Sequence, residues 1–234
     1  MDWSSLFSRG AALWIPAALI AVIGYFCGCL NGAVIASRYI LKDDVRRHGS
    51  GNAGLTNFCR TYGWRWAYVV LLADIIKAVA AVLLGAFLTR LLVSDAPVVI
   101  ALSKYWAGLF CLLGHMFPCM FGFKGGKGIL SGGTAAIFID YRIALVVWGG
   151  FLLLLLLTRW VSLGSCFAGA AFPVVSALVF RAPPITALSV VCGGLILWQH
   201  RSNIGRLARG EESKFSIHPN AAPSGTDVSQ DKEE

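Results

Sequence analysis

Long apolar stretches make up most of this chain, and short polar segments separate them. A helix needs about 20 apolar residues to cross the hydrocarbon core of a bilayer. The pattern predicts seven apolar helices, at residues 11–37, 66–93, 98–119, 129–139, 143–157, 161–180 and 184–199. We therefore expect an all-α integral membrane protein with about seven transmembrane helices, of which the fourth and fifth are short and could be tilted or partly re-entrant.

The division between the fourth and fifth helices depends on two charged residues. A single helix over 129–157 would bring Asp140 and Arg142 near the centre of the bilayer. Each charge there costs about 2.5 to 3.5 kcal/mol. A break at the sequence DYR instead places both charges at an interface, so we predict the break.

The charged residues also predict how the chain is oriented. Seven crossings put the loops at 38–66, 120–128, 158–162 and 200–214 on one side of the membrane, and these loops hold 13 of the 20 Lys and Arg residues. By the positive-inside rule this side is cytoplasmic.

The first apolar stretch follows Arg9 and resembles a secretory signal, but it runs on to about residue 36 and is too long for one, so we interpret it as the first span.

Composition excludes a soluble domain. The chain has a mean hydropathy of +0.69, and only 14% of its residues are charged. Its net charge of +8 is spread over several loops, which favours anionic lipids and small anions over nucleic acid as partners. The seven cysteines lie in or beside apolar stretches without a C-x-x-C pair, which indicates reduced packing residues.

Three of the loops on the basic side combine cations with glycines, amides and hydroxyls. They read KDDVRRHGSGNAGLTNFCRTYG at 42–63, GHMFPCMFGFKGGKG at 114–128 and HRSNIGRLARGEES at 200–213. Glycines allow successive backbone N–H groups to face an anion, and an adjacent lysine adds a full charge. Alternatively, the second loop could be an ordinary turn with membrane-flanking lysines, and the first could be a flexible linker.

Individual side chains in these loops favour phosphate binding. Arg60 offers a planar set of donors that suits a phosphate group. His200, Asn203 and Arg206 are spaced so that they share one face if the last apolar helix continues through them. A single histidine at a membrane boundary is usually only interfacial, but here an amide and a guanidinium accompany it.

The segments GSGNAGLTNFCR, GHMFPCMFGFKGGKG and HRSNIGRLARGEE resemble, in order and spacing, the three motifs of the bacterial acyl-phosphate:glycerol-3-phosphate acyltransferase family. The resemblance covers residues 11–215. It implies a seven-span enzyme of the bacterial inner membrane whose active site faces the cytoplasm. Such an enzyme transfers a fatty acyl group from acyl phosphate to glycerol 3-phosphate in phospholipid biosynthesis, giving lysophosphatidate and inorganic phosphate. It uses no metal or cofactor and takes neither acyl-coenzyme A nor acyl-carrier protein directly.

The resemblance also implies roles for particular residues. Ser50, Asn52, Thr56, Asn57 and Arg60 are expected to line the phosphate pockets, with Ser50 and Arg60 acting in catalysis. Lys124, Gly125, Gly126, Lys127 and Gly128 are expected to form a phosphate cradle in which the backbone N–H groups of the glycines face the phosphate and Lys127 takes part in catalysis. His200 and Asn203 are expected to bind glycerol 3-phosphate and orient its hydroxyl, with Arg206 beside them and weaker polar contacts from Ser162 and Ser165. Either His200 or a substrate phosphate could take the hydroxyl proton.

Other classes of protein fit less well. A transporter of a lipid or organophosphate would place polar groups at mid-membrane, often in two related halves, and a non-catalytic scaffold would not need three anion-suited loops. Asp74 and Lys77 lie within the second span and could mark an ion pathway, but we interpret them as a compensating pair. Residues 1–215 are predicted to form the membrane domain, and the polar segment 216–234 a disordered cytoplasmic tail. The sequence does not indicate an oligomeric state.

Overall fold

The computed structural model describes residues 10–215, and within this range all regular elements are helical. The predicted tail at 216–234 and the first nine residues lie outside the described residues. The α-helices are α1 (Ala11–Cys29), α2 (Gly32–Ile35), α3 (Leu55–Tyr62), α4 (Ala67–Leu92), α5 (Pro97–Met116), α6 (Ile129–Ile139), α7 (Tyr141–Thr158), α8 (Val161–Phe180), α9 (Pro183–Gln199) and α10 (Arg201–Ala208). Shorter turns of π- and 3₁₀-helix occupy Ala36–Ile40, Val45–Arg47 and Cys119–Phe121.

The predicted all-α membrane architecture is confirmed, although the number of full crossings is only approximately seven. Within residues 10–215, five helical segments are long and apolar enough to cross a membrane: Ala12–Ile40, Ala67–Leu92, Pro97–Phe121, Tyr141–Thr158 and Val161–Phe180. Two further apolar helices, Ile129–Ile139 and Pro183–Gln199, are shorter. With 11 residues, α6 is about 17 Å long and covers roughly half of the hydrocarbon core.

The predicted break between the fourth and fifth apolar helices is confirmed at Asp140. Its carboxylate accepts a hydrogen bond from the Arg142 backbone N–H and so caps the N-terminus of α7. The same carboxylate forms an ion pair with the Arg142 guanidinium at 2.8 Å. Both charges are therefore compensated at a helix boundary.

Close helix packing depends on glycines where α1 meets α5. A Cβ at Gly28 would lie 2.1 Å from the Cys111 carbonyl oxygen, and one at Gly114 would lie 2.0 Å from that of Tyr25. Small residues allow two backbones to approach in this way in membranes, where no hydrophobic force drives helices together. The packing fixes the end of α5, which lies beneath the second polar loop.

The predicted polar loops meet at one end of the helix bundle. The Ala53 N–H donates to the Gly125 carbonyl at 3.4 Å, and the Arg46 guanidinium donates to the carbonyls of Phe121 and Lys124 at 2.6 and 2.9 Å. One prediction needs correction, because 42–63 is not loop throughout. Its second half forms α3, whose buried face includes Phe58.

Candidate functional site

A cavity of about 350 Å³ lies where these loops meet. Residues from all three sequence motifs line it. Among the residues singled out in the sequence, the lining includes Ser50, Asn52, Thr56, Asn57, Arg60, Lys127, Gly128, Ser162, Ser165, His200, Asn203 and Arg206. The fold therefore brings most of the predicted site residues together from segments far apart in the chain.

Three helix N-termini also line the cavity. Leu55 and Thr56 begin α3, Ile129 and Leu130 begin α6, and Val161 begins α8. In the described part of the chain, no side chain caps any of these three N-termini. The first N–H groups of an α-helix have no partner within the helix, and this end carries a partial positive charge. The cavity is thus suited to hold anions such as phosphate.

A polar network joins the second motif to the third. The Lys127 ammonium donates to the Asn203 side-chain oxygen. The Asn203 amide and the Arg206 guanidinium in turn donate to the two carboxylate oxygens of Glu212, at 2.8 and 2.7 Å. Burial raises the pKa of Glu212, but hydrogen bonds from Asn203 and Arg206 outweigh it and hold that pKa below its usual value. Glu212 is therefore an anion that holds two cavity side chains in place.

Lys127 is the cation placed deepest in this network. Burial, and then the nearby charge of Arg206, lower the pKa of Lys127 to about 8 against the opposing effect of Glu212. A bound phosphate group would stabilise the ammonium form. The affinity of the cavity for anions should consequently depend on pH in the range where Lys127 titrates.

His200 lies between α9 and α10 and is buried against the cavity. Its Nδ1 lies 2.8 Å from the Ile196 carbonyl oxygen, which can only accept, so Nδ1 carries the proton and Nε2 is left as an acceptor. Burial and the Lys127 charge lower the pKa of His200 to about 4, against the effect of the hydrogen bond to Ile196. The neutral imidazole can accept a hydrogen bond from a substrate hydroxyl. The predicted continuing helix is interrupted here, because α9 ends at Gln199 and α10 begins at Arg201.

The predicted glycine cradle needs correction. The N–H groups of Gly125 and Gly126 donate to the carbonyls of Met116 and His115, each at 3.1 Å, and so do not face the cavity. A Cβ at Gly126 would lie 2.2 Å from His115 Nε2 and 2.6 Å from the Ala53 carbonyl oxygen. Lys124 is exposed and does not line the cavity. These glycines permit close packing of the loop, whereas Gly128, with φ of +82°, turns the chain into α6.

Asparagines hold the first loop in shape. The Asn57 amide donates to the carbonyls of Val45 and His48, and its oxygen accepts from the Ser50 N–H. Asn57 lines the cavity, but these bonds occupy its amide group, so its predicted substrate contact is replaced by a role in fixing the loop. Asn31, which the sequence analysis missed, donates to the Ala53 carbonyl at 3.1 Å and caps α2.

The last described segment lies beside the cavity and contributes Glu212 to its lining. The Trp160 indole donates to the Glu212 carbonyl at 3.1 Å, and the Arg60 guanidinium donates to that of Ser213 at 3.3 Å. The Phe215 N–H donates to the Arg159 carbonyl at 2.7 Å. These contacts fix the segment that carries Glu212. In the sequence, the role of Glu212 was indicated only by the presence of an acidic residue within a basic motif.

Behind the cavity lies a buried charged cluster. Lys77 and Asp74 form an ion pair at 2.6 Å, as predicted for a compensating pair. His115, for which the sequence gave no role, joins them at 2.7 Å from the Lys77 ammonium. Asp74 and His115 both reach the cavity wall.

An apolar pocket adjoins the cavity. The two share Ile129, Trp148 and Phe151 in their walls, and the apolar pocket continues between the helices past Leu112 to Tyr105. The wall of the cavity is therefore polar at the loop end and apolar towards the helix bundle. The free space inside the apolar pocket is only about 30 Å³, so its residues provide an apolar surface next to the cavity and do not enclose a long hydrocarbon chain.

Comparison with known proteins agrees with this geometry. Residues 18–210 match the family described as glycerol-3-phosphate acyltransferase. Relatives named glycerol-3-phosphate acyltransferase include one from Thermoanaerobacter pseudethanolicus, 36% identical over 85% of this chain and 96% of the relative, and one from Clostridioides difficile, 36% identical over 84% and 94%.

A solved structure gives the same result. The glycerol 3-phosphate form of PlsY (YgiH), an integral membrane glycerol 3-phosphate acyltransferase, is similar to this chain with a TM-score of 0.73 and 31% identity, over 86% of this chain and 96% of that one. Its lysophosphatidic acid form is similar with a TM-score of 0.70. In sequence and in fold, the chain belongs to the glycerol-3-phosphate acyltransferase family.

Proposed function

We propose that the protein transfers a fatty acyl group from acyl phosphate to glycerol 3-phosphate and releases lysophosphatidate and inorganic phosphate. The observation that carries this proposal is the cavity in which three helix N-termini and three cationic side chains surround a polar space, with part of its wall shared with an apolar pocket. Both substrates are phosphorylated, and one of them carries a hydrocarbon chain.

The polar cavity is proposed to hold both phosphate groups. Lys127, Arg60 and Arg206 supply full charges, and the uncapped N-termini of α3, α6 and α8 supply N–H donors. Ser50, Asn52, Thr56, Ser162 and Ser165 add side-chain polar groups around the same space. Only Glu212 and the paired Asp74 oppose this positive potential among the described lining residues. The acyl chain is proposed to lie along the apolar residues that adjoin the cavity, and the helices must move apart to admit it because the free space between them is only about 30 Å³.

The proposed reaction depends mainly on how the two substrates are positioned and does not require a protein nucleophile. The glycerol 3-phosphate hydroxyl oxygen attacks the acyl carbonyl carbon, and the bond from that carbon to the phosphate oxygen breaks. His200 Nε2 accepts a hydrogen bond from the attacking hydroxyl, and Asn203 lies one helical turn away to help orient it. The hydroxyl proton ends on the departing phosphate, which leaves as hydrogen phosphate. Orientation of the two substrates and stabilisation of the charge that develops during attack can together account for a large acceleration of acyl transfer.

The polar end of the bundle is proposed to face the cytoplasm of a bacterial inner membrane. The described loops at this end hold Arg46, Arg47, Lys124, Arg201 and Arg209, among other cations. This charge distribution supports the orientation by the positive-inside rule. Glycerol 3-phosphate is a small charged molecule and would reach the cavity from the aqueous side.

The proposal is tested by measuring phosphate release from purified protein in detergent. Release above the rate of donor hydrolysis should require acyl phosphate and glycerol 3-phosphate together. Replacing acyl phosphate with acyl-coenzyme A or acyl-carrier protein should abolish the formation of lysophosphatidate, which is the product to be measured with these donors. Efficient transfer from a thioester would show that the donor class is wrong.

A further inference from the structure

One face of α5 connects the apolar pocket with the polar cavity. Tyr105, Gly108 and Leu112 line the pocket, and His115 lines the cavity. Residues at this spacing lie along one side of a helix. If the acyl chain lies against this face, as the proposed function implies, its carbonyl end reaches the level of His115.

The contacts around Lys77 assign the tautomer of His115. The Lys77 ammonium lies 2.6 Å from Asp74 Oδ1, 2.7 Å from His115 Nδ1 and 3.1 Å from the Leu30 carbonyl oxygen. An ammonium has three N–H donors and no acceptor, so these three atoms are its acceptors. His115 Nδ1 thus holds a lone pair, and a neutral imidazole must then carry its proton on Nε2.

The Nε2–H group of His115 has no hydrogen-bond acceptor among residues 10–215, although the side chain is almost completely buried. Because the His115 side chain lines the polar cavity, a molecule bound there can come within reach of this donor. Gly126 passes next to it, and any larger residue there would occupy the space beside Nε2. The donor is therefore kept free at the cavity wall.

We propose that His115 contacts the acyl donor, with its Nε2–H donating a hydrogen bond to the carbonyl oxygen that becomes negatively charged during attack. This proposal rests on the proposed function. The proton stays on His115 throughout, so the residue stabilises charge and transfers nothing. Asp74 and Lys77 are positioning residues, because they fix the tautomer and the ring orientation.

The two cavity histidines then have complementary roles. His200 donates through Nδ1 to the Ile196 carbonyl and presents Nε2 as an acceptor to the attacking hydroxyl. His115 accepts through Nδ1 and presents Nε2–H as a donor to the carbonyl oxygen. The opposite tautomers follow from the opposite chemistry of their buried partners, a carbonyl in one case and an ammonium in the other.

The experiment compares two unreactive donor analogues of equal length. One is a long-chain β-ketophosphonate, which retains the carbonyl and has CH₂ in place of the bridging oxygen. The other is the alkylphosphonate, with CH₂ also in place of the carbonyl. Wild-type protein should bind the ketophosphonate about three- to tenfold more tightly, as expected for one hydrogen bond. His115→Leu should bring this ratio close to one and reduce kcat for acyl transfer about a hundredfold.

Met116→Leu is the matched control, because Met116 is equally buried on α5 and lines neither cavity. A purely structural disturbance changes the affinity for both analogues alike, so Met116→Leu should leave their ratio unchanged. An unchanged ratio in folded His115→Leu overturns the proposal for His115. If wild-type protein also fails to release phosphate from the two substrates, the proposed function itself is wrong.

A second measurement decides the matter if His115→Leu does not fold. The stretching frequency of a ¹³C-labelled carbonyl falls when it accepts a hydrogen bond. On wild-type protein, the bound ketophosphonate should absorb at a lower frequency than it does in an apolar solvent. Equal frequencies would overturn the proposal without any variant.

Discussion

At the scale of single residues, the charge of Lys127 should control donor binding. With its pKa lowered to about 8, the ammonium form is present below that pH and is lost as pH rises through it. The KM for acyl phosphate should therefore increase above pH 8. In Lys127→Arg the guanidinium stays charged, so this increase should disappear, even though the different shape of arginine alters KM at neutral pH. The measurement is KM against pH for both proteins, and parallel profiles would contradict the assignment.

Gly126 provides a residue-scale test of the corrected loop structure. In Gly126→Ala the new Cβ meets the His115 ring and the Ala53 carbonyl. We expect a loss of about 1 to 3 kcal/mol of stability together with a loss of turnover, because overpacking forces the loop to shift. Gly149→Ala is the control, since a Cβ there has nothing within 4 Å. Thermal unfolding that is equal for both variants would show that the loop is not packed as described.

At the scale of elements, the Glu212 segment should stabilise the cavity end of α10. Glu212 is buried and holds Asn203 and Arg206, whereas the adjacent Glu211 pairs with Arg209 in solvent. Glu212→Gln should cost about 1 to 3 kcal/mol of unfolding free energy, and the matched Glu211→Gln less than about 0.5 kcal/mol. Chemical denaturation of the two variants in one detergent makes the comparison. Equal effects would mean that the network contributes little.

Six of the seven apolar helices were predictable from the sequence to within a few residues, because hydrophobic length and the cost of burying Asp140 and Arg142 are local properties. The first was predicted over 11–37, but α1 ends at Cys29 and Asn31 caps the separate helix α2. Helix α3 was not predictable, because its sequence LTNFCRTY is short and polar. Its buried face forms only when it packs on the rest of the fold. The packing role of Gly126 depends on His115, in the same motif, and on Ala53, which is remote in sequence. For the same reason, the shared N-termini and the contribution of Glu212 could be found only in three dimensions.

At the scale of the whole molecule, the loops at the cavity end should all be accessible from one side. Cysteines replacing the exposed residues Arg47, Lys124 and Arg209 in a cysteine-free background should react with an impermeant thiol reagent only in inside-out vesicles. Gly125 is unsuitable for this purpose because a Cβ there would lie 1.9 Å from the His115 carbonyl oxygen. A cysteine at Asp95, in the loop at the opposite end between α4 and α5, should react only in right-side-out vesicles. Labelling of Lys124 and Asp95 positions from the same side would contradict the topology.

The central claim is that glycerol 3-phosphate attacks the acyl carbon of acyl phosphate within this cavity. Acyl phosphate labelled with ¹⁸O in the bridging position tests it directly, by mass spectrometry of both products. Attack at the acyl carbon breaks the bond between carbon and the bridging oxygen, so the account predicts labelled inorganic phosphate and unlabelled lysophosphatidate. Attack at phosphorus would instead transfer the phosphoryl group to glycerol 3-phosphate and release labelled fatty acid, and these products would contradict the account.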